Sequence, residues 1–378
     1  MSVVRQEARR RRLMVAALVA ALCAVPVVIA ALPVARSSIG LDELRKRILA
    51  SATTPYEGLV ETRGSLGLPD LPGLSDVTTL LGSTTRMRVW YESTRRWRVD
   101  VITPTGERDL RQSPDGLTIW DYERNLLTQL VGEPSVRLPR GSDLTPPDLA
   151  RRLVAIAAPR DRRTDLPARR VAGVAAAGLR ITPADPGTTV GHVDIWADPD
   201  TGLPVAVELA GKGSDRAVLS ARFLDLRQRR PAAPVLAVRP PAGTPSMRLS
   251  APDLVSRLSR FVDFPLPDAL GGNPALRVAD DTKAVRAYGT GYTSFAVVPV
   301  PGRFGRRVQE AARDAGAQPV QVAGPFGVPH ADAYLIRTPL LTALVVSDNV
   351  YDSTFLFAGP VDQKVLLAAA ADLIAEPA

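Results

Sequence analysis

A chain of 378 residues, 46% hydrophobic and 23% charged, has room for two or three domains and enough apolar mass for real cores, which excludes a disordered polypeptide. The formal charge of +8 is not a nucleic-acid signature: residues 1–12 set five arginines against Glu7, so half of the excess sits in that stub and the rest is spread thinly. A single cysteine, Cys23, rules out an intrachain disulfide, and 34 prolines favour turns and strand edges over long helices.

Residues 13–35 form an uncharged run that directly follows four arginines. As a helix it would measure about 35 Å, enough for a hydrocarbon layer of about 30 Å. The arginines hold the N-terminus in the cytoplasm and send the rest of the chain outward. Two readings stay open. One is an uncleaved single-pass signal anchor, which we favour. The other is a cleaved signal peptide, with Val28 and Ala30 as the small residues before the cut, since Pro26 and Pro33 weaken a full-length helix. Cys23 follows Leu22, where a lipoprotein signal wants a small residue, so it reads as an apolar filler. The expected location is the cell membrane, with the bulk of the chain extracytoplasmic.

Residues 42–52 read as a short amphipathic helix with Leu41, Leu44, Ile48 and Leu49 at helical spacing. From Tyr56 the period becomes two. In residues 85–91, Met87, Val89 and Tyr91 oppose Arg86, Arg88 and Trp90; in residues 96–101, Trp97, Val99 and Val101 alternate with Arg96, Arg98 and Asp100. The two read as a hairpin with one wet and one apolar face. Residues 117–122 and 126–131 make a second pair. Residues 192–197 and 203–209 make a third around Asp198-Pro199-Asp200-Thr201-Gly202, and 218–226 and 235–238 read as further strands. Residues 146–158 read as a helix started by Thr145 and Pro146. Residues 65–82 read as a loop, whose leucines must cover something.

Residues 231–245, with five prolines, read as an interdomain linker. Beyond it lies a smaller α+β unit, 246–378, with helices at 252–261, 303–315 and 361–374 and strands at 294–300, 340–347 and 353–358. The expected division is thus 1–36 for stub and anchor, 37–230 for a β-rich domain, 231–245 for the linker and 246–378 for the second domain.

Catalytic chemistry is thin. His192 and His330 are the only histidines, and neither has a second His or Cys at ligand spacing, so no metal and no cofactor is expected. No serine lies in a nucleophile elbow. Gly289-Thr290-Gly291 lacks the third glycine of a dinucleotide site and reads as a hairpin turn, and Asp198 with Asp200 reads as turn chemistry. The expected mode of action is binding rather than catalysis. Two helices and one loop are little cover for the apolar side of seven or more strands. The residues expected to line a cavity there are Met87, Val89, Trp97, Val99, Val101, Ile119, Val193, Ile195, Val205 and Val207, against the plainer reading that they form a filled core.

The order of these pieces resembles the RseB/MucB family. It runs from Tyr56-Glu57-Gly58-Leu59-Val60-Glu61 after a short helix, through Arg88-Val89-Trp90-Tyr91 and Arg96-Trp97-Arg98-Val99-Asp100, to a Gly-Leu-x-x-Trp-Asp-Tyr segment at 116–122. It closes on Asp-Pro-x-Thr-Gly-Leu-Pro at 198–204, which recurs in the wider LolA-like lipoprotein carriers. The resemblance covers roughly residues 40–240, with a looser match at Tyr288–Phe295. It implies an α+β chain: a half-open antiparallel β-barrel with a helical plug behind the N-terminal membrane helix, then the small C-terminal domain. It also implies partners: lipid or lipoprotein acyl chains, and a transmembrane anti-sigma factor whose regulation is the output. A carrier working at the membrane surface is the alternative, and an envelope enzyme with an unrecognised site is a second. The anchor departs from the family, whose members are usually free in a periplasm, and argues against a shuttle.

Overall fold

The computed structural model describes residues 37–68, 75–103, 106–132, 137–238, 243–250, 266–276, 285–300, 302–314, 316–323, 329–348 and 353–375. The basic stub, the apolar segment 13–35 with Cys23, and the helix expected at 252–261 lie outside them. Among the described residues no helix is long and apolar enough to cross a membrane.

The chain opens with helix α1 (Leu41–Ala50), whose Leu44 and Ile48, one turn apart, are buried. A twelve-stranded sheet follows. Its strands are β1 (Tyr56–Gly64), β2 (Thr84–Ser93), β3 (Arg96–Ile102), β4 (Glu107–Ser113), β5 (Gly116–Asp121), β6 (Leu126–Val131), β7 (Arg162–Val171), β8 (Val174–Thr182), β9 (Val190–Ala197), β10 (Pro204–Gly211), β11 (Ala217–Arg227) and β12 (Ser246–Ser250). The spatial order is β12-β6-β5-β4-β3-β2-β1-β11-β10-β9-β8-β7, open at both rims. Every pair is antiparallel except β12 with β6.

Helix α2 (Ser75–Gly82) occupies part of the stretch read as loop; Leu80 within it and Leu66 before it are buried in the main core. Helix α3 (Pro146–Ile156) starts at Pro146 as its sequence dictates and buries Ala150, Leu153 and Val154. The stretch expected as a strand at 235–238 is instead one helical turn, α4 (Ala233–Leu236), with Pro234 in its first turn. A proline there suits a helix start and denies a ladder its donor. Residues 246–250, expected to open the second domain, instead return to the first sheet as β12.

The second unit holds a two-stranded ribbon, β13 (Ala269–Leu270) and β14 (Asn273–Pro274), and a six-stranded sheet ordered β15-β16-β20-β19-β18-β17. Its strands are β15 (Arg286–Tyr288), β16 (Phe295–Val300), β17 (Gln318–Ala323), β18 (Pro329–Arg337), β19 (Thr342–Asp348) and β20 (Ser353–Gly359). Helix α5 (Gly302–Asp314) packs Ala312 with Ile336, Ala343 and Val345 on one face, and α6 (Gln363–Ala375) packs Leu366, Ala369 and Leu373 with Leu344, Val346 and Phe357 on the other. Alternate residues of β19 thus serve opposite layers. Gly289 and Gly291, both at positive φ, lie in the connection between β15 and the antiparallel β16, where a turn was expected.

The two units meet without a gap in hydrogen bonding. Thr189 donates its backbone N–H to Pro360 O at 2.9 Å and its hydroxyl to Leu340 O at 2.8 Å. Thr188 Oγ1 lies 2.6 Å from Tyr292 O. Tyr292 itself is buried in the core of the first unit.

Candidate functional site

Register fixes which side chains share the helix-covered face of the large sheet. One row runs Tyr56, Tyr91, Trp97, Gln112, Leu117, Leu130, Leu249, and the next runs Val89, Val99, Leu110, Ile119, Thr128, Met247. Helices α1 and α3 cover only part of these rows. Leu44, Ile48, Leu153 and Val154 join Tyr56, Tyr91, Met87, Val89 and Val99 in the main core. At about 1.5–3 kcal/mol for each fully buried side chain, this packing is what holds the two helices on the sheet.

The ten residues expected to line a cavity divide in two. Met87, Val89, Val99, Val193, Ile195, Val205 and Val207 are all at most 2% exposed and belong to that packed core, so none of them meets solvent in an open groove. Trp97, Val101 and Ile119 are only half-buried. They gather with Leu249 around a second, smaller cluster of Leu110, Leu117 and Leu130. Trp97 and Val101 pack against both clusters, so they stand at the edge of the helical cover.

Two structures flank this edge. The turn Gly141–Leu144 lies over Val101, where a Cβ on Gly141 would come within 2.6 Å of Val101 Cγ2. Asp143 holds the turn: it accepts from Arg137 Nη1 at 2.5 Å, Arg152 Nη2 at 2.7 Å and the Arg140 N–H at 2.8 Å. Burial alone would raise its pKa, but the Arg137 hydrogen bond and the charges of Arg137 and Arg152 win and hold the carboxyl below the usual carboxylate range. On the other side Arg108 joins Asp76 of α2 at 2.7 Å to Asp121 of β5 at 2.9 Å.

Leu110, Leu117, Leu130 and Leu249 were not among the expected residues. Leu110 is the one apolar residue of Glu107–Ser113, so β4 shows no alternation. Leu249 lies beyond the linker, and its only local signal is the alternation of Met247 and Leu249 in a five-residue strand.

The opposite face carries charge and three of the four tryptophans. Arg98 lies 5.0 Å from the Trp90 ring, Arg169 lies 3.7 Å from the Trp196 ring, and Trp120 stacks on Tyr122 at 4.3 Å. Glu61, buried, receives Arg63, Arg86 and Arg222. His192 sits 3.8 Å from Asp194, whose two oxygens accept from Arg180 at 2.7 Å each. That leaves His192 beside an ion pair rather than beside a nucleophile. The side chain of His330 lies outside the described residues. Asp198 accepts from the Asp200 N–H at 2.9 Å, as a turn residue does.

No family model and no curated protein matches this chain. Solved structures do resemble it. MucB in complex with MucA(peri) is 15% identical, with a TM-score of 0.49 over 90% of this chain and 100% of that one. The Pseudomonas aeruginosa MucA/MucB complex is 16% identical, with a TM-score of 0.47 over 89% and 99%. This chain is similar to these solved structures of MucB. A LolA superfamily protein from Nitrosomonas europaea, 12% identical, covers 53% of this chain and 99% of its own, with a TM-score of 0.24.

Proposed function

We propose that this chain is a membrane-tethered, extracytoplasmic binding protein that takes an acyl chain of a lipid or lipoprotein at the edge of its helical cover and regulates an anti-sigma factor. The observation that carries the reading is the half-buried set Trp97, Val101 and Ile119, backed by the buried Leu110, Leu117 and Leu130. An apolar strip that the protein's own helices leave half covered favours an apolar ligand. The site works by burial and shape and uses no reactive group, so the reading is of a binding module and not an enzyme. The apolar run 13–35 supports the tether, and the tether disfavours a shuttling carrier.

The ordered strand motifs and the domain that follows them support the regulatory half of the reading. A similar solved structure is that of MucB with MucA(peri), which names the class of partner to try first. The test has two arms. Full-length protein purified from membranes is extracted with organic solvent, and the extract is analysed by mass spectrometry for acyl chains. The same preparation is assayed against extracytoplasmic segments of anti-sigma factors, with and without added lipid. Acyl chains near one per protein and lipid-dependent binding are expected. Absence of acyl chains together with no binding to any segment overturns the reading.

A further inference from the structure

On the face away from α1 and α3, three carboxylates are brought together by the sheet. Asp100 on β3 and Asp109 on β4 are direct cross-strand partners, and Glu107 stands two residues before Asp109 on the same face. Their nearest oxygens lie within 4.8 Å of one another. Asp100 is 0% and Asp109 1% exposed, while Glu107 is a quarter exposed and opens the cluster to solvent. Like charges directly opposite each other on neighbouring strands repel, more so when buried.

The arginines nearby do not use up these carboxylates. Arg98 donates Nε to Asp100 Oδ1 at 2.6 Å and Nη2 to Asp109 Oδ2 at 3.1 Å, and Arg111 Nη2 donates to the same Asp109 Oδ2 at 2.8 Å. Arg88 lies 3.6 Å from Glu107. Asp100 Oδ2 and Asp109 Oδ1 are left, both buried and both without a hydrogen-bond partner among the described residues. A buried carboxylate oxygen with no donor is costly, and two of them in a cluster with a third carboxyl call for a cation or a shared proton.

We propose that Asp100, Glu107 and Asp109 bind one hard divalent cation on the outer face of the large sheet. Oxygen-only donors select calcium, magnesium or manganese over softer metals. Arg98 and Arg111 orient the two aspartates from behind, as partners of metal-bound carboxylates do. They also donate to Val235 O at 3.3 Å and Ala237 O at 2.5 Å, so the site and the interdomain linker share the same two guanidinium groups. Sequence spacing does not reveal this ligand set, because Asp100 and Asp109 meet only through strand pairing.

Terbium is a suitable probe, because Trp120 lies directly opposite Asp109 on β5 and sensitises emission from a nearby lanthanide. The full chain, stripped with a chelator, is titrated with terbium under tryptophan excitation, and calcium or magnesium is then added in competition. The expected result is saturable emission displaced by calcium or magnesium, with affinity roughly tenfold or more weaker in Glu107→Gln. Asp109→Asn is expected to abolish it, and Trp120→Phe to dim the emission while leaving calcium competition intact. Glu107→Gln keeps the test valid if Asp109→Asn fails to fold, since Glu107 is the least buried of the three. No emission, emission that calcium and magnesium do not displace, or emission unchanged in Glu107→Gln overturns the proposal and leaves a shared proton as the occupant.

Discussion

The Tyr292 hydroxyl donates to the Leu153 carbonyl oxygen at 2.8 Å, joining two residues 139 positions apart. Leu153 lies in the last turn of α3, where helix carbonyls lack an intrahelical partner. Tyr292 comes from the turn before β16, so a side chain of the second unit caps the helix that plugs the first. Burial pushes its hydroxyl well above the usual tyrosine range, which keeps it a donor at any physiological pH. Tyr292→Phe is expected to cost about 1–2 kcal/mol, by loss of a buried hydrogen bond and exposure of an orphan carbonyl. Denaturant unfolding read separately through tryptophan fluorescence and circular dichroism checks this; coincident, unshifted transitions would contradict it.

The inner-face residues are expected to separate by phenotype. Ile119→Asp puts a charge on the half-covered strip and is expected to weaken acyl binding about tenfold or more with little loss of stability. Met87→Ala opens a cavity in the filled core and is expected to cost about 2–5 kcal/mol while leaving acyl affinity nearly unchanged in whatever fraction folds. Binding of a fluorescent fatty acid, measured beside melting curves, distinguishes the two. Equal effects on both readouts would mean that strip and core are one.

Gly202 closes the Asp198–Gly202 turn at φ 71°, and a Cβ there would meet the Arg47 backbone at 2.3 Å. Arg47 in turn donates to Pro199 O at 2.7 Å. The turn therefore clasps the end of α1. Gly202→Ala combines left-handed strain with a backbone clash and is expected to cost about 2–4 kcal/mol. Increased hydrogen exchange confined to α1 and its neighbours is the accompanying sign, and unchanged protection of α1 would refute the clasp.

Asp143 sets an acid limit. Its carboxyl is held below its ordinary value, so its contribution is fully present above the unfolded pKa and is lost as pH falls through the folded one. Wild type is expected to lose stability below about pH 4 more steeply than Asp143→Asn, which should be about 2 kcal/mol weaker at pH 7. Parallel pH profiles of the two proteins would remove Asp143 from the account.

Alternation exposed β2 and β3 in the sequence, where Met87, Val89 and Tyr91, then Trp97, Val99 and Val101, oppose Arg86 and Arg88, then Arg96 and Arg98. It failed at β4, where Glu107-Arg108-Asp109 meets ion pairs on both sides, and at β8, whose Val174–Ala177 stretch is small and apolar throughout. At β7, Pro167 sits in a register shift between Leu166 and Arg169 and breaks the pattern on an edge strand. The tryptophans divide between the two faces. All four lie on strands, yet only Trp97 faces the helices, because the others shield arginines or a tyrosine on the far side. The apolar strip itself was half legible: Trp97, Val101 and Ile119 show in the pattern, whereas the extent of the helical cover depends on α1 and α3 meeting across a hundred residues of chain.

The strand β12 has a mechanical consequence. It fastens the start of the C-terminal unit to one rim of the large sheet, while Thr188 and Thr189 fasten the remainder beside β9, nine strands away in sheet order. At about 4.8 Å per strand that is roughly 40 Å of sheet spanned between two attachments. The half-covered strip lies inside this span. Leu249 of β12 borders that strip, so an apolar ligand taken there is expected to bear on the same strand that fastens the C-terminal unit.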